Sequence, residues 1–335
     1  MSTDLDIYKQ NRINEINKNF NSTLNSLRSV LSRNIRNIQH SRLRNKQNII
    51  NSLIAKFNND VAILRINLNN SIKRINSFIP EFNVANVAKT NNKKALIIGI
   101  NYINSPYELS GCIDDANRMN DLLVKRGFNT IEILTELNHI KPTKQNILEK
   151  FKNMILNAEP GDILFFYFSG HGSYTYDRNK DETDGKDEMI ISSDHQGILD
   201  DEFKNILSNH MKREVTIVGL FDSCHSGTMF DLKFNYLDSN NFDKYTENDK
   251  ASECNGNVLM ISGCMDSQTS VETLIDNKAQ GAITWSFIET INKTPNSSWR
   301  ELLKYMRDML KSHSFYQIPQ LSTDSFYNID EKMFI

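Results

Sequence analysis

Three unbroken apolar runs, rich in β-branched and aromatic residues, constrain this chain more than any other feature. They are Ala95-Leu96-Ile97-Ile98-Gly99-Ile100, Ile163-Leu164-Phe165-Phe166-Tyr167-Phe168 and Val215-Thr216-Ile217-Val218-Gly219-Leu220-Phe221. The second follows the turn signal Pro160-Gly161-Asp162, and the third the charged break Lys212-Arg213-Glu214. Short runs without polar alternation read as strands buried on both faces of a parallel sheet. Helical patterns separate the three, so right-handed crossovers are expected to bring their carboxyl ends to one sheet edge. The expected class is α/β, a mostly parallel central sheet flanked by helices, and a site belongs on that edge.

Two segments leave the ends of the second and third runs: Ser169-Gly170-His171-Gly172 and Asp222-Ser223-Cys224-His225-Ser226-Gly227. A thiol is the most nucleophilic side chain near neutral pH, and a neighbouring imidazole removes its proton. The glycines admit a substrate backbone and leave amide N–H groups for an oxyanion hole, here those of Gly172 and Cys224. These residues predict acyl transfer by a Cys224/His171 dyad. Asp115, just past the first run, and Asp222, beside Cys224, can reach the same cleft, where paired carboxylates would hold a guanidinium or ammonium. Asp177, Asp181, Glu182, Asp184, Asp187 and Glu188 crowd the loop after His171. Asp200-Asp201-Glu202 opens a helical pattern, and Asp231 follows Cys224 closely. Hard oxygen donors from three loops suit Ca²⁺.

Two further segments accompany these motifs. Leu109-Ser110-Gly111-Cys112-Ile113-Asp114-Asp115-Ala116 follows the first run. Ile261-Ser262-Gly263-Cys264-Met265-Asp266-Ser267-Gln268-Thr269-Ser270 precedes Gly281-Ala282-Ile283-Thr284. In this order they make the chain, from residue 93 to about 330, resemble the metacaspases, which are caspase-like cysteine peptidases. Met265, Asp114 and Glu272 depart from the residues common there. The resemblance implies a caspase-like fold and cleavage after Arg or Lys, with Asp115, Asp222 and Ser169 lining the specificity pocket. It implies Ca²⁺ as an activator held by Asp184, Asp200, Asp201 and Asp231, with Asp187 as substitute for the first, and no organic cofactor. It also implies a monomeric peptidase domain, and a Cys112 near the dyad that is not the nucleophile.

Residues 7–79 hold no Pro or Gly, and apolar residues recur there every three or four positions, from Ile13 to Ile38 and from Ile50 to Ile79. Long amphipathic helices are expected, with Pro80 as a stop and either a hairpin near 40–47 or one long coiled coil. The expected division is a basic, Asn-rich helical extension over 1–90 and a peptidase domain over 93–335. Within the latter, 93–231 forms a large-subunit region, 232–255 a linker and 256–335 a small-subunit region. Residues 1–90 carry 14 Lys or Arg against 5 Asp or Glu, leaving 25 against 36 in the rest. The extension is therefore expected to self-associate or to dock on the acidic domain, and to be cut by it, as is the linker at Lys233, Lys244 or Lys250. Scattered charges on an Asn-rich face disfavour nucleic acid and membrane as partners.

Four cysteines without metal-site or disulfide spacing favour a reducing compartment. Residues 1–6 lack a signal-peptide pattern and no apolar run reaches roughly 18 residues, so a cytoplasmic location is expected. Two other readings are an inactive caspase-like scaffold and a caspase-clan hydrolase with a different pocket. An intact dyad and pocket argue against the first.

Overall fold

The computed structural model describes residues 2–40, 45–77, 92–176, 186–224, 227, 229–236, 245–248, 254–263, 272–275, 278–325 and 327–335. The chain divides into two compact units, 1–87 and 88–335.

The first unit consists of α1 (Ser2–His40) and α2 (Lys46–Ser77), which pack against each other. Leu24 is buried, while Ile13, Phe20, Leu27, Leu31, Ile35, Leu53, Phe57 and Leu68 are half-buried, so the apolar stripes form the seam. Pro80 and residues 41–44 of the interhelical segment lie outside the described residues. No described helix is long and apolar enough to cross a membrane.

In chain order, the second unit begins β1 (Lys93–Gly99), α3 (Cys112–Lys125), β2 (Thr130–Thr135), α4 (Lys144–Leu156) and β3 (Ile163–Ser169). It continues β4 (Gly172–Tyr176), β5 (Lys186–Ile191), β6 (Gly197–Leu199), α5 (Asp200–His210) and β7 (Thr216–Asp222). Then come β8 (Phe234–Tyr236), β9 (Thr246–Glu247), β10 (Asn257–Ser262), β11 (Glu272–Ile275) and β12 (Lys278–Gly281). Helices α6 (Ala282–Lys293) and α7 (Trp299–Ser312) and strand β13 (Gln320–Thr323) close it.

The main sheet runs β2-β1-β3-β7-β10-β13-β8-β9. Pairing is parallel from β2 to β10, and antiparallel where β13, β8 and β9 extend it. This is the mostly parallel, helix-flanked sheet that the apolar runs imply. The runs are continuous because alternate residues serve two cores. Ala95, Ile97, Phe165, Tyr167, Val218 and Leu220 face α3, α6 and α7, whereas Leu96, Ile98, Leu164, Phe166, Ile217 and Phe221 face α4 and α5. On the second face Phe151, Phe166, Phe203, Phe221 and Phe230 interlock, with neighbouring centroids 5.0 Å apart for Phe151–Phe203 and 5.1 Å for Phe221–Phe230. A side chain at Gly219 would collide with the Phe230 ring, so this glycine lets the segment after Cys224 anchor on the sheet. A longer link fits the same plan: Asn101 Oδ1, just past β1, accepts the Ile113 amide at 3.0 Å and ties the first turn of α3 to the β1 end.

Phe166 is fully buried at the centre of the aromatic cluster. Phe166→Ala should destabilise the protein by about 3–5 kcal/mol, read as a lowered denaturant midpoint at unchanged slope. A loss below about 1 kcal/mol would show that the cluster is not the core of this layer.

Candidate active site

Parallel register builds the site. Gly99 pairs with Ser169 and Ser169 with Asp222, so three strand ends lie in one row. Beyond the row the two motif segments stay together: the Gly170 amide donates to the Asp222 carbonyl at 3.4 Å, and a side chain at Gly172 would collide with the carbonyl oxygen of Cys224. His171 and Cys224, both half-buried, therefore leave neighbouring strand ends on abutting backbones. Residues 225 and 226 lie outside the described residues.

His171 is held from three sides. Its backbone N–H donates to the Tyr102 hydroxyl at 2.8 Å, and that hydroxyl donates to the Ile191 carbonyl at 2.7 Å. The Ile191 amide returns to the His171 carbonyl at 2.9 Å, and the Tyr102 ring lies against the imidazole with centroids 4.6 Å apart. Tyr102 takes a left-handed backbone (φ 53°), which the Glu136 carboxylate secures by accepting the amides of Asn101 at 2.6 Å and Ile103 at 2.9 Å. Burial pushes the Tyr102 hydroxyl well above the usual phenol range, so it remains a donor. His171 Nε2 lies 2.7 Å from the Tyr107 carbonyl oxygen. A carbonyl only accepts, so Nε2 carries a proton, and the tautomer that fits this contact has Nδ1 as its acceptor nitrogen.

Asp115 and Asp222 converge beside this pair. Asp115, on the first turn of α3, is fully buried, and its Oδ2 accepts the Gly281 amide at 2.7 Å. Its Oδ1 pairs with the Arg118 guanidinium, which also contacts the side-chain oxygen of Gln280. Asp222 Oδ2 accepts the Thr284 amide at 2.9 Å and hydroxyl at 2.7 Å, and the Tyr167 hydroxyl joins Thr284 Oγ1 at 2.7 Å. A side chain at Gly281 would strike the Asp222 carboxylate and come within 3.1 Å of Asp115, so the glycine marks where the carboxylates converge. Burial first, and the Asp222 charge second, push the Asp115 carboxyl up to about 7, against the pull of the Gly281 amide and Arg118. Buried Ser169 lies beside Tyr167, and burial with the two carboxylates lifts the Tyr167 hydroxyl well above its ordinary value.

The acidic residues gather elsewhere. Asp200, buried at the start of α5, accepts the amides of Glu188 at 3.0 Å and Asp201 at 2.8 Å. Asp231, with φ 43°, accepts from the Asn248 side-chain Nδ2 at 3.0 Å, and its backbone carbonyl accepts from buried Lys204 at 2.9 Å. Asp187 and Glu188 are buried, and Asp184 lies outside the described residues. Among the described residues alone, no group of three or more His, Cys, Asp or Glu is placed to hold a metal ion. Cys112 is buried, and burial pushes the Cys254 thiol up to about 11, which leaves that group inert at neutral pH.

Comparison with known proteins agrees with the motif order. Residues 93–233 match the family model described as the metacaspase, peptidase C14 domain. Metacaspase-1 of Schizosaccharomyces pombe is 34% identical over 286 positions, covering 69% of this chain and 67% of the relative. The chain belongs to the metacaspase family. Metacaspase-1B of Neosartorya fischeri is likewise 34% identical over 287 positions, covering 70% of each. A Geobacter sulfurreducens protein of known crystal structure superposes with a TM-score of 0.54 at 22% identity, covering 72% of this chain and 98% of that one, which shows a shared fold. As a metacaspase, the chain has a caspase-like fold and is a peptidase of the cysteine class, acting on protein substrates.

Sequence reasoning gave no role to Tyr102, Tyr107, Gln280, Gly281 or Thr284. A backbone carbonyl such as that of Tyr107 leaves no trace in a sequence. Gly281 and Thr284 stood inside a recognised segment, but only the fold shows that they face Asp115 and Asp222. Tyr102→Phe should strand the His171 amide and the Ile191 carbonyl, lowering stability by about 1–3 kcal/mol in urea unfolding. A loss under about 0.5 kcal/mol would mean that water replaces the hydroxyl and that this linkage does not hold the metacaspase's His171 segment.

Proposed function

We propose that this metacaspase cleaves peptide bonds after Arg or Lys, with Cys224 as nucleophile and His171 as general base. The observation that carries this reading is the pair of carboxylates, Asp115 and Asp222, buried together beside the His171 and Cys224 strand ends. Two buried acids repel one another, and a cation entering between them relieves that repulsion. An acidic side chain would deepen it, which disfavours cleavage after Asp. In the reaction, His171 Nδ1 takes the Cys224 proton as sulfur attacks the scissile carbonyl, and the same proton then goes to the leaving amine. The amides of Gly172 and Cys224 are assigned to the developing oxyanion.

Calcium is assigned to the acidic loops. Asp200 and Asp201 open α5, Asp187 lies on β5, where the Glu188 amide donates to Asp200, and Asp231 follows the Cys224 segment. The hard oxygens of Asp184, Asp200, Asp201 and Asp231, with Asp187 as substitute for Asp184, suit Ca²⁺ in chemistry, and the ion would supply charge that neutralises them. These residues lie on segments leading away from His171 and Cys224, so ordering them is the proposed route to activation. Self-processing is assigned to basic residues of the helical extension and to Lys244 and Lys250 of the linker. Lys233 is buried with its ammonium over the Phe234 ring at 5.8 Å, which withdraws it from that role. The extension's helices are proposed to self-associate or to serve as substrate, and the peptidase unit to act as a monomer, since β8 and β9 cover the β13 edge.

The test is an assay of the purified full chain on Arg, Lys and Asp fluorogenic peptides, with Ca²⁺ and with chelator. Cys224→Ala should abolish turnover, and His171→Ala should lower it by about 10²- to 10⁴-fold. Asp115→Asn or Asp222→Asn should cost about 2–5 kcal/mol in kcat/KM on Arg substrates. Preference for Asp peptides, or activity in Cys224→Ala, would overturn the reading, and full activity in chelator would remove calcium from it. A pH dependence follows from Asp115. Its carboxyl must be ionised to pair with a cation and holds its proton up to about pH 7, so kcat/KM on Arg substrates should rise as pH passes through that value.

A further inference from the structure

Arg118 stands one turn beyond Asp115 on α3, and the dyad chemistry gives it no part. Its guanidinium contacts two groups at once: Nη2 meets Oδ1 of Asp115, and Nη1 meets Oε1 of Gln280, a buried residue at the end of β12. The other oxygen of Asp115 accepts the amide of Gly281, the next residue along. One carboxylate and one guanidinium thus tie α3 to consecutive residues of β12, directly ahead of Thr284, which holds Asp222. The Arg118 side chain is 35% exposed while the Asp115 side chain is 1% exposed, so the guanidinium reaches from solvent to an enclosed carboxylate.

We propose that Arg118 is a positioning and specificity-determining residue, a resident cation that orients the Asp115 carboxylate and ties β12 to α3 beside Asp222. The inference rests on the reading that Asp115 and Asp222 receive a substrate cation. Asp115 faces Asp222 from β7, Tyr167 from β3 and Arg118 on its own helix, and of these only Arg118 is positive. Without it, burial and the Asp222 charge would be opposed by the Gly281 amide alone, and Asp115 would hold its proton to still higher pH. Above about pH 7, with both carboxylates ionised, the three charges leave a single net negative charge, matched to one Lys or Arg side chain. A guanidinium suits the place because its planar fork reaches two acceptors, whereas an ammonium is a point charge.

The experiment compares wild type, Arg118→Gln and Arg118→Lys in kcat/KM against pH on an Arg peptide, beside the rate of Cys224 alkylation by iodoacetamide. In Arg118→Gln the acid limb should move to higher pH, with about a tenfold loss at pH 6.5 that recovers toward pH 9. Arg118→Lys keeps the charge, so its limb should stay in place while KM rises through loss of the Gln280 bridge. Alkylation should match wild type in both, since the dyad is not touched. Superimposable profiles for Arg118→Gln and wild type, or equal shifts in both variants, would overturn the inference.

If the wild type shows no preference for Arg or Lys, the pocket reading fails, and the pairing is then read from stability alone. The Asp115 pKa in the folded chain lies above its ordinary 3.8, so its contribution is complete below that value and is lost as pH rises through about 7. Arg118→Gln should enlarge that loss and carry it to higher pH, and Asp115→Asn should erase the difference between the two. Equal losses with and without Arg118 would overturn the pairing even then.

Discussion

The pairing of β3 with β7 in parallel register is the constraint on which the rest depends. It sets Ser169 opposite Asp222, and from that pair the chain runs in two directions that matter. Two residues beyond Ser169 lies His171, and two beyond Asp222 lies Cys224. A slip of one residue would turn every side chain of the strand to the other core and would separate the segments. The two cores prevent that slip, because Phe165 and Phe166 pack into different layers and cannot exchange places. Stability and chemistry meet here: what fixes the register is apolar burial, and what the register delivers is an imidazole and a thiol on abutting loops.

The carboxylate pocket draws on a different part of the chain. Asp115 and Asp222 come from strand-end segments of the large-subunit region, but the groups that satisfy them, the Gly281 amide and Thr284, come from the β12–α6 junction. The pocket is complete only when the late segment has folded against the early one. Burying two like charges is costly, and the structure answers with backbone amides, hydroxyls and the Arg118 guanidinium rather than with bulk water. That arrangement leaves Asp115 poised near neutrality, where a change of protonation changes the charge held beside Asp222.

Most of the layered fold was legible because unbroken strands such as Phe165–Phe168 admit few alternatives, and because glycine-flanked His171 and Cys224 follow them. Positions that depend on convergence were not legible. Tyr102 reads as one more aromatic residue until its hydroxyl is seen between His171 and Ile191, and Gln280 reads as a surface amide until Arg118 reaches it. Charge counting located an acidic loop after His171, but ligand choice among clustered aspartates depends on loop geometry, and Asp184 lies outside the described residues. The basic helical extension carries a clear stripe and no motif, so sequence gives its form without its partner.

The central claim is that the pocket beside Cys224 reads positive charge. Its most direct measurement is the ratio of kcat/KM for two peptides that differ only in Arg or citrulline before the scissile bond, since citrulline keeps the shape of Arg and removes its charge. With Asp115 and Asp222 both ionised at pH 8, Arg should be favoured by at least about thirtyfold. A ratio near one would show that the pocket selects by shape alone, and would contradict a charge-reading role for the paired carboxylates.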